Sequence, residues 1–189
     1  MIDKLKQHIT NRLGKSPENL DLVLPHFEES ITKRGEIILR MGEVCKYVYF
    51  IVEGCIQVYV IDKNGNESTR EFYLENQWVT DILGFQNQTP SSEFIKSVEP
   101  CKLLRIYHDK FQFLSQEVPQ FAAIYKQILE VSYNNTIYRV NTLTAMDALE
   151  RMKWLIDNKP KIMSRLSSKL IASYLGISPE TMTRLKGKL

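Results

Sequence analysis

Glu180 and Arg184 carry the most specific chemistry in this chain of 189 residues. An arginine can donate two hydrogen bonds to O6 and N7 of guanine, and a carboxylate can accept from N4 of cytosine. Each good pairing discriminates between bases by roughly 1–3 kcal/mol. Thr181 and Thr183 are short enough to serve bases or phosphates, while Lys186 and Lys188 suit phosphates. A plainer reading also exists, because residues four apart lie one turn apart on a helix. Glu180 and Arg184 would then form a surface ion pair worth about 0.2–0.5 kcal/mol. The elements that hold these residues decide between the two.

Two helix starts are written into 166–189. Ser167 and Ser178 are each placed to accept hydrogen bonds from the free N–H groups of a following helix. Pro179 falls at a first helical position, where a missing N–H costs nothing. Gly176 follows the first helix, where a left-handed residue turns the chain. Leu170, Ile171, Tyr174 and Leu175 give that helix a buried face, and Ala172 is small enough for a close crossing. Met182, Leu185 and Leu189 form the stripe of the second helix, which leaves Thr181, Arg184 and Lys188 as one polar row. The pattern reads as a helix-turn-helix aimed at double-stranded DNA. Its contact candidates are Ser167, Lys169, Ser178, Glu180, Thr181, Thr183, Arg184, Lys186 and Lys188.

Charge agrees with that placement. From 145 to 189 there are nine Lys and Arg against four Asp and Glu, so this stretch carries +5 of a whole-chain charge of +3. The remaining 144 residues carry −2, with 16 basic against 18 acidic side chains. Positive charge is thus concentrated where phosphate neutralisation requires it. A hydrophobic content of 43% and a charged content of 25% are those of an ordinary globular protein. No run approaches the roughly 20 apolar residues of a membrane span, and Met1–His8 lacks a signal-peptide core. A cytoplasmic protein without a membrane partner is expected. Cys45, Cys55 and Cys101 are widely spaced, and neither they nor His8, His26 and His108 show metal-ligand spacing, so reduced, partly buried thiols are expected. No nucleophile–base pairing, metal cluster or phosphate loop points to an enzyme.

The rest of the chain must support this reading head. Residues 2–14 and 16–30 look helical, the second started by Ser16 and Pro17. From Ile31 the period becomes two. Residues 37–39, 47–52, 56–61, 68–74 and 102–107 are β-branched and aromatic, as strands prefer, and Asn64-Gly65 is a hairpin signal. A barrel or roll follows from short strands with frequent turns. A long helix then carries Phe121, Ile124, Ile128 and Val131 at three- and four-residue steps, a stripe suited to pairing with its twin in a homodimer. Packing against its own roll is the alternative for that stripe. Thr144 with Asp147 marks a new start, and Asn158-Lys159-Pro160 ends the helix that begins near Ala145. The expected fold is α+β: a β-roll sensor domain over 1–115, a connecting and dimerisation helix over 116–143, and a helix-turn-helix domain over 144–189.

This order of elements resembles the Crp/Fnr family of bacterial transcription regulators. The likeness rests on Gly35, Gly42-Glu43, the stretch Ile51–Gly54 and Gly65 in the roll, and on Gly176–Arg184 at the end. In that family a Glu and an Arg four apart on the recognition helix both touch bases, and Glu180 and Arg184 match them. Thr183 resembles the Ser found there in the oxygen-sensing branch. Pro179 stands where the motif often opens with Arg, which implies that the outermost base is read differently or ignored. Members that bind cyclic nucleotides use a Gly-Glu for the ribose and an Arg-Ser or Arg-Thr for the cyclic phosphate. Aligned from Trp78, these fall on Thr80-Asp81 and Ser91-Ser92, a degenerate cassette. Ser91 offers no charge to the phosphate, so cyclic AMP is not expected as ligand. Residues 1–44 lack the cysteine cluster of the oxygen sensors, and no His stands out as a haem ligand, although haem stays open; no cofactor is expected. The chain also stops at Leu189, where many relatives continue into a β-wing, so wing contacts to phosphate are expected to be missing. The resemblance implies a homodimer with DNA and RNA polymerase as partners and an effector of unknown identity. The rival expectation is a sensor module for a small molecule or partner that no longer binds DNA.

Overall fold

Segments of period two become strands where turn residues let the chain reverse. The computed structural model describes residues 1–13 and 19–187. Eight strands lie within them: β1 (Glu28–Thr32), β2 (Ile37–Leu39), β3 (Tyr47–Glu53), β4 (Ile56–Ile61), β5 (Glu67–Tyr73), β6 (Trp78–Val79), β7 (Phe94–Ser97) and β8 (Cys101–Tyr107). They form two four-stranded sheets, ordered β1-β8-β3-β6 and β2-β7-β4-β5. β8 runs antiparallel to both β1 and β3, with Ser30 opposite Leu103 and Phe50 opposite Leu104. The β4–β5 turn is the expected one: Gly65 has φ +81, and the Asp62 carboxylate accepts from the N–H groups of Asn64 and Asn66 at 2.8 and 2.9 Å.

The helices are α1 (Ile2–Leu13), α2 (Leu20–Val23), α3 (Ile82–Asn87), α4 (His108–Glu117), α5 (Pro119–Ala145), α6 (Ala148–Asn158), α7 (Pro160–Arg165), α8 (Ser168–Leu175) and α9 (Pro179–Lys186). The expected helix over 16–30 is the largest departure. Only four residues are α-helical, followed by a 3-10 turn at Leu24–His26 and then by β1. Pro25 has no N–H to extend a helix, Phe27 is already extended, and β8 takes the following residues as a strand partner. The proposed start at Ser16 and Pro17 lies outside the described residues. The long helix runs to Ala145, and α6 begins only after Asp147, which forms a capping box with Glu150. Pro160 does more than end α6, because it also opens α7. No helix among the described residues is long and apolar enough to cross a membrane.

Two compact units share the chain. One comprises Met1–Val58 and Tyr73–Glu130, the other Tyr59–Phe72 and Val131–Leu189. The first is built around Phe50, Ile51, Ile56, Ile95, Leu103, Leu104 and Ile106, all 0% exposed. An aromatic series continues this core, with Phe85 to Phe111 centroids at 5.3 Å and Phe111 to Phe121 at 5.1 Å. Phe121 and Ile124, expected on a dimer face, are each only 2% exposed and belong to this core, and Ile128 packs against it. Each buried Phe or Ile stabilises the roll by about 1.5–3 kcal/mol, so they are not available as a surface. Val131 is exposed, and so are Tyr133, Ile137, Val140 and Leu143 further along α5. The second unit buries Met152, Leu155, Ile162, Ile171, Ala172 and Met182.

Candidate nucleic-acid interface

α8 starts at Ser167, whose hydroxyl accepts from Leu170 N–H at 3.4 Å, and ends at Gly176 with φ +66. The Gly176 N–H reaches the Ser173 carbonyl, and the Ile177 N–H reaches the Ala172 carbonyl at 3.1 Å. This pair of bonds is a Schellman closure, which satisfies the last carbonyls of α8 while reversing the chain. Ser178 then caps α9, accepting from Thr181 N–H at 3.1 Å, with Pro179 in the first turn. Ile171, Ala172, Tyr174 and Leu175 of α8 and Met182 and Leu185 of α9 are buried, so the two helices hold one another through the stripes read from the sequence.

The reading candidates sit on the other side of α9. Glu180, Thr183, Arg184 and Lys186 are exposed, and Thr181 is half-buried. No ion pair joins Glu180 to Arg184 among the described residues, so the surface-pair explanation of their spacing finds no support in the geometry. The Glu180 carboxyl is held below its ordinary range by its own backbone N–H and by the Ser178 hydroxyl. It is therefore a fixed anion at neutral pH, as an acceptor for cytosine N4 must be. The Thr183 hydroxyl donates to the Pro179 carbonyl at 3.1 Å, which leaves its oxygen as an acceptor. Lys186 Nζ donates to Ser168 Oγ at 2.7 Å and so bridges the two helices beside the exposed Lys169. Lys188 and Leu189 lie outside the described residues. Ser168 was not read from the sequence, because nothing in its local pattern announces a partner 18 residues away.

Three of the four positions of the expected cassette, Thr80, Asp81 and Ser91, contact the segment Gly42–Cys45. Thr80 Oγ1 donates to the Tyr47 carbonyl at 3.0 Å and lies 3.2 Å from Cys45 Sγ. Asp81 is 8% exposed and caps α3, accepting from Gly84 N–H at 3.1 Å. Ser91 is 3% exposed, its N–H donates to the Glu43 carbonyl, and its hydroxyl bonds across the turn to Glu93. Ser92 is exposed. Three of the four thus engage in bonds that hold the roll together.

Residues 31–117 match the cyclic nucleotide-binding domain family. The chain is 26% identical over 171 residues to the anaerobic regulatory protein of Haemophilus influenzae, which covers 82% of this chain and 64% of that protein. It is 23% identical over 158 residues to the cAMP-activated global transcriptional regulator CRP of Pasteurella multocida, covering 78% of this chain and 76% of that one. The chain thus spans about two thirds to three quarters of the length of these relatives. Among solved structures, FixK2 from Bradyrhizobium japonicum superposes with a TM-score of 0.75 at 18% identity, over 86% of this chain and 84% of that one. With a roll of this kind followed by a long helix and a capped helix-turn-helix, the chain contains a cyclic nucleotide-binding domain and is similar to the Crp/Fnr-type regulators.

Proposed function

We propose that this protein is a homodimeric, sequence-specific DNA-binding transcription regulator that does not respond to cyclic AMP. One observation carries the reading. Arg184 and Glu180 stand exposed and unjoined on a helix whose start is capped and whose opposite face is fixed to α8. A structural ion pair would have drawn the two side chains together, whereas base reading needs both held apart and open to solvent. In this reading Arg184 addresses a guanine and Glu180 a cytosine. Thr181, Thr183, Lys169, Lys186 and Lys188 serve the flanking backbone, with Ser167 and Ser178 at the helix starts. The regulators named among the relatives support the same direction.

The dimer in this proposal uses the outer face of α5. Tyr133, Thr136, Val140 and Leu143 recur in alternating steps of three and four, flanked by Ile137, the spacing of a coiled-coil seam. Two α9 helices would then enter successive major grooves about 34 Å apart on an inverted repeat. Any effector in the roll would act as a shift between two arrangements of the DNA-binding parts. Cyclic AMP is a poor candidate, because Ser91 brings no cation to a largely buried phosphate. An uncompensated buried anion is penalised by several kcal/mol. The protein works as a binder in the cytoplasm, not as a catalyst.

Selection of binding sites from random duplexes with the purified protein tests the reading. The expected product is an inverted repeat whose centre-to-centre spacing is one helical turn. Recovery of no recurring sequence would refute it and favour a sensor module without DNA binding.

A further inference from the structure

Several contacts in the second unit join strand β5 of the β4–β5 hairpin to α8, and none of them belongs to the reading face. Lys159, at the corner between α6 and α7, places Nζ 2.8 and 2.9 Å from the two carboxylate oxygens of Glu71 on β5. The same ammonium donates to the Tyr174 hydroxyl of α8 at 3.1 Å. The pair is largely enclosed, with side-chain exposures of 24% for Lys159 and 7% for Glu71. Arg139 of α5 lies 4.1 Å over the Tyr174 ring and donates to the carbonyls of Thr69 and Tyr174. Ser173 Oγ donates to the Glu67 carbonyl at 2.6 Å and accepts from Thr69 N–H at 3.0 Å. The Phe72 and Tyr174 rings are 5.7 Å apart. Hairpin, long helix and α6–α7 corner thus meet at two consecutive residues of α8, directly before the Schellman turn that leads into α9.

We propose that Glu71, Lys159, Tyr174 and Arg139 form a clamp that sets the position of the reading helix, so that this hairpin is a positioning element of the DNA-binding unit. The inference rests on the DNA-binding reading above. Its logic is that of a buried ion pair. Closed, the ammonium satisfies both carboxylate oxygens and a phenol; with one partner removed, the other charge is stranded out of water, so the clamp is made whole or not at all. Burial alone would lower the Lys159 pKa, and the Glu71 carboxylate with the Tyr174 hydroxyl outweighs it and raises the value, so the charge stays in place throughout the neutral range. The clamp does not cover the reading face, because Glu180 and Arg184 are exposed while it is closed. It therefore acts by pre-organisation. A helix held in place loses less freedom on binding than one that must be ordered by the DNA.

The full-length protein, Glu71→Gln, Lys159→Met and the charge-exchanged double variant Glu71→Lys/Lys159→Glu are to be titrated with the selected inverted repeat. The same repeat with its half-sites moved one base pair closer or further is the second set of targets. Each single variant is expected to lose about tenfold in affinity for the correctly spaced site. It should also lose most of its discrimination against the misspaced ones, while the base preference at the Arg184 position persists. The charge-exchanged variant should recover both properties. Tyr174→Phe removes only the hydroxyl, keeps the ring, and should relax spacing discrimination in the same direction; it decides the matter if the single variants fail to fold. Wild-type affinity and spacing discrimination in the folded variants would overturn the proposal, and so would tighter binding, which would make the contact a restraint on α9. If the wild-type protein itself selects no sequence, the DNA-binding reading fails, a result distinct from a clamp that proves irrelevant to a working reader.

Discussion

Asp81 in the roll and Glu180 on α9 are both carboxylates at the start of a helix, yet one is 8% exposed and the other stands open to solvent. Asp81 is extended at the N-cap and bonded to Gly84 N–H, directly above Phe85, which is 1% exposed. Glu180 is one position inside its helix, and Ser178 has already taken the cap. The same comparison runs through both regions. In the roll, Thr80, Asp81 and Ser91 bond to the protein itself. On α9, serine and threonine hydroxyls satisfy the backbone, and Glu180 and Arg184 beside them stand exposed to solvent. The polar groups of the roll are thus structural, whereas Glu180 and Arg184 stay open to solvent.

The sharpest way to break this comparison lies on α5, whose first half is buried in the roll and whose second half exposes apolar side chains. Ile137→Asp places a carboxylate beside the exposed seam and should convert a dimer to a monomer in light scattering, because each charge would lose water against the partner helix. Ile124→Asp, thirteen residues nearer the N-terminus, should instead unfold the roll, since Ile124 is 2% exposed within its core. An unchanged dimer for a folded Ile137→Asp protein would remove this face from the interface. Next in size, Arg184→Ala should weaken the selected site by about 1–3 kcal/mol per half-site and relax preference at one base. Its melting temperature should hardly move, because the side chain is exposed. Lys186→Ala should instead weaken all sequences alike and flatten the salt dependence by about one unit. Equal loss from both variants, with no change in base preference, would reduce α9 to a basic surface.

What the sequence disclosed follows the range of the interactions. The two caps and the left-handed Gly176 are local signals that appear as read, and so do the stripes of α8 and α9 except for the half-buried Leu170 and for Leu189, which lies outside the described residues. Five strands were likewise legible within a residue or so of their bounds, from β-branched runs and Gly-containing turns. β1 was not, because a run containing Glu28 and Glu29 has no strand period of its own and is recruited by pairing with β8. The stripe of Phe121 and Ile124 was visible but not its partner, since periodicity marks a face without saying what covers it. The clamp was invisible for a stronger reason. Glu71 and Lys159 are 88 residues apart, and a lone glutamate in a strand and a lysine before a proline are ordinary in their own surroundings.

A smaller effect tests how strictly the roll binds its own polar groups. Trp78 Nε1–H donates to His8 Nε2 at 3.1 Å, and Phe50 lies 4.9 Å from the same imidazole. Burial, helped by the charge of Arg12, lowers the His8 pKa from 6.5 to about 4. The unfolded chain therefore takes up a proton first as pH falls below 6.5. Stability should decline between about pH 6.5 and 4 and level off below, where both states are protonated. A shift of one unit is about 1.4 kcal/mol, and partial solvent access reduces the total to about 1–2 kcal/mol. His8→Gln removes the titration, so its melting temperature should vary less over this range than that of the wild type. Parallel curves for the two proteins would show that His8 is solvated and that its bond to Trp78 contributes little.

Asp81→Ala gives the smallest expected change and bears most directly on the contrast with Glu180. Removing an N-cap carboxylate costs about 0.5–2 kcal/mol, typically near 1. Here the loss falls on a six-residue helix whose Gly84 N–H would be left without its acceptor. Denaturant melts should record that loss as a lower midpoint with an unchanged slope, the signature of lost stability without a change of compactness. Glu180→Ala should show the reverse pattern, with an unchanged midpoint and altered base preference. Titration with cyclic AMP supplies the decisive arm, since a structural Asp81 predicts no binding by either wild type or variant. Wild-type binding in the low micromolar range, about −8 kcal/mol, that disappears in Asp81→Ala would make this carboxylate a ligand residue. The roll would then be a working receptor, and the two helix starts would differ in what they bind instead of in whether they bind.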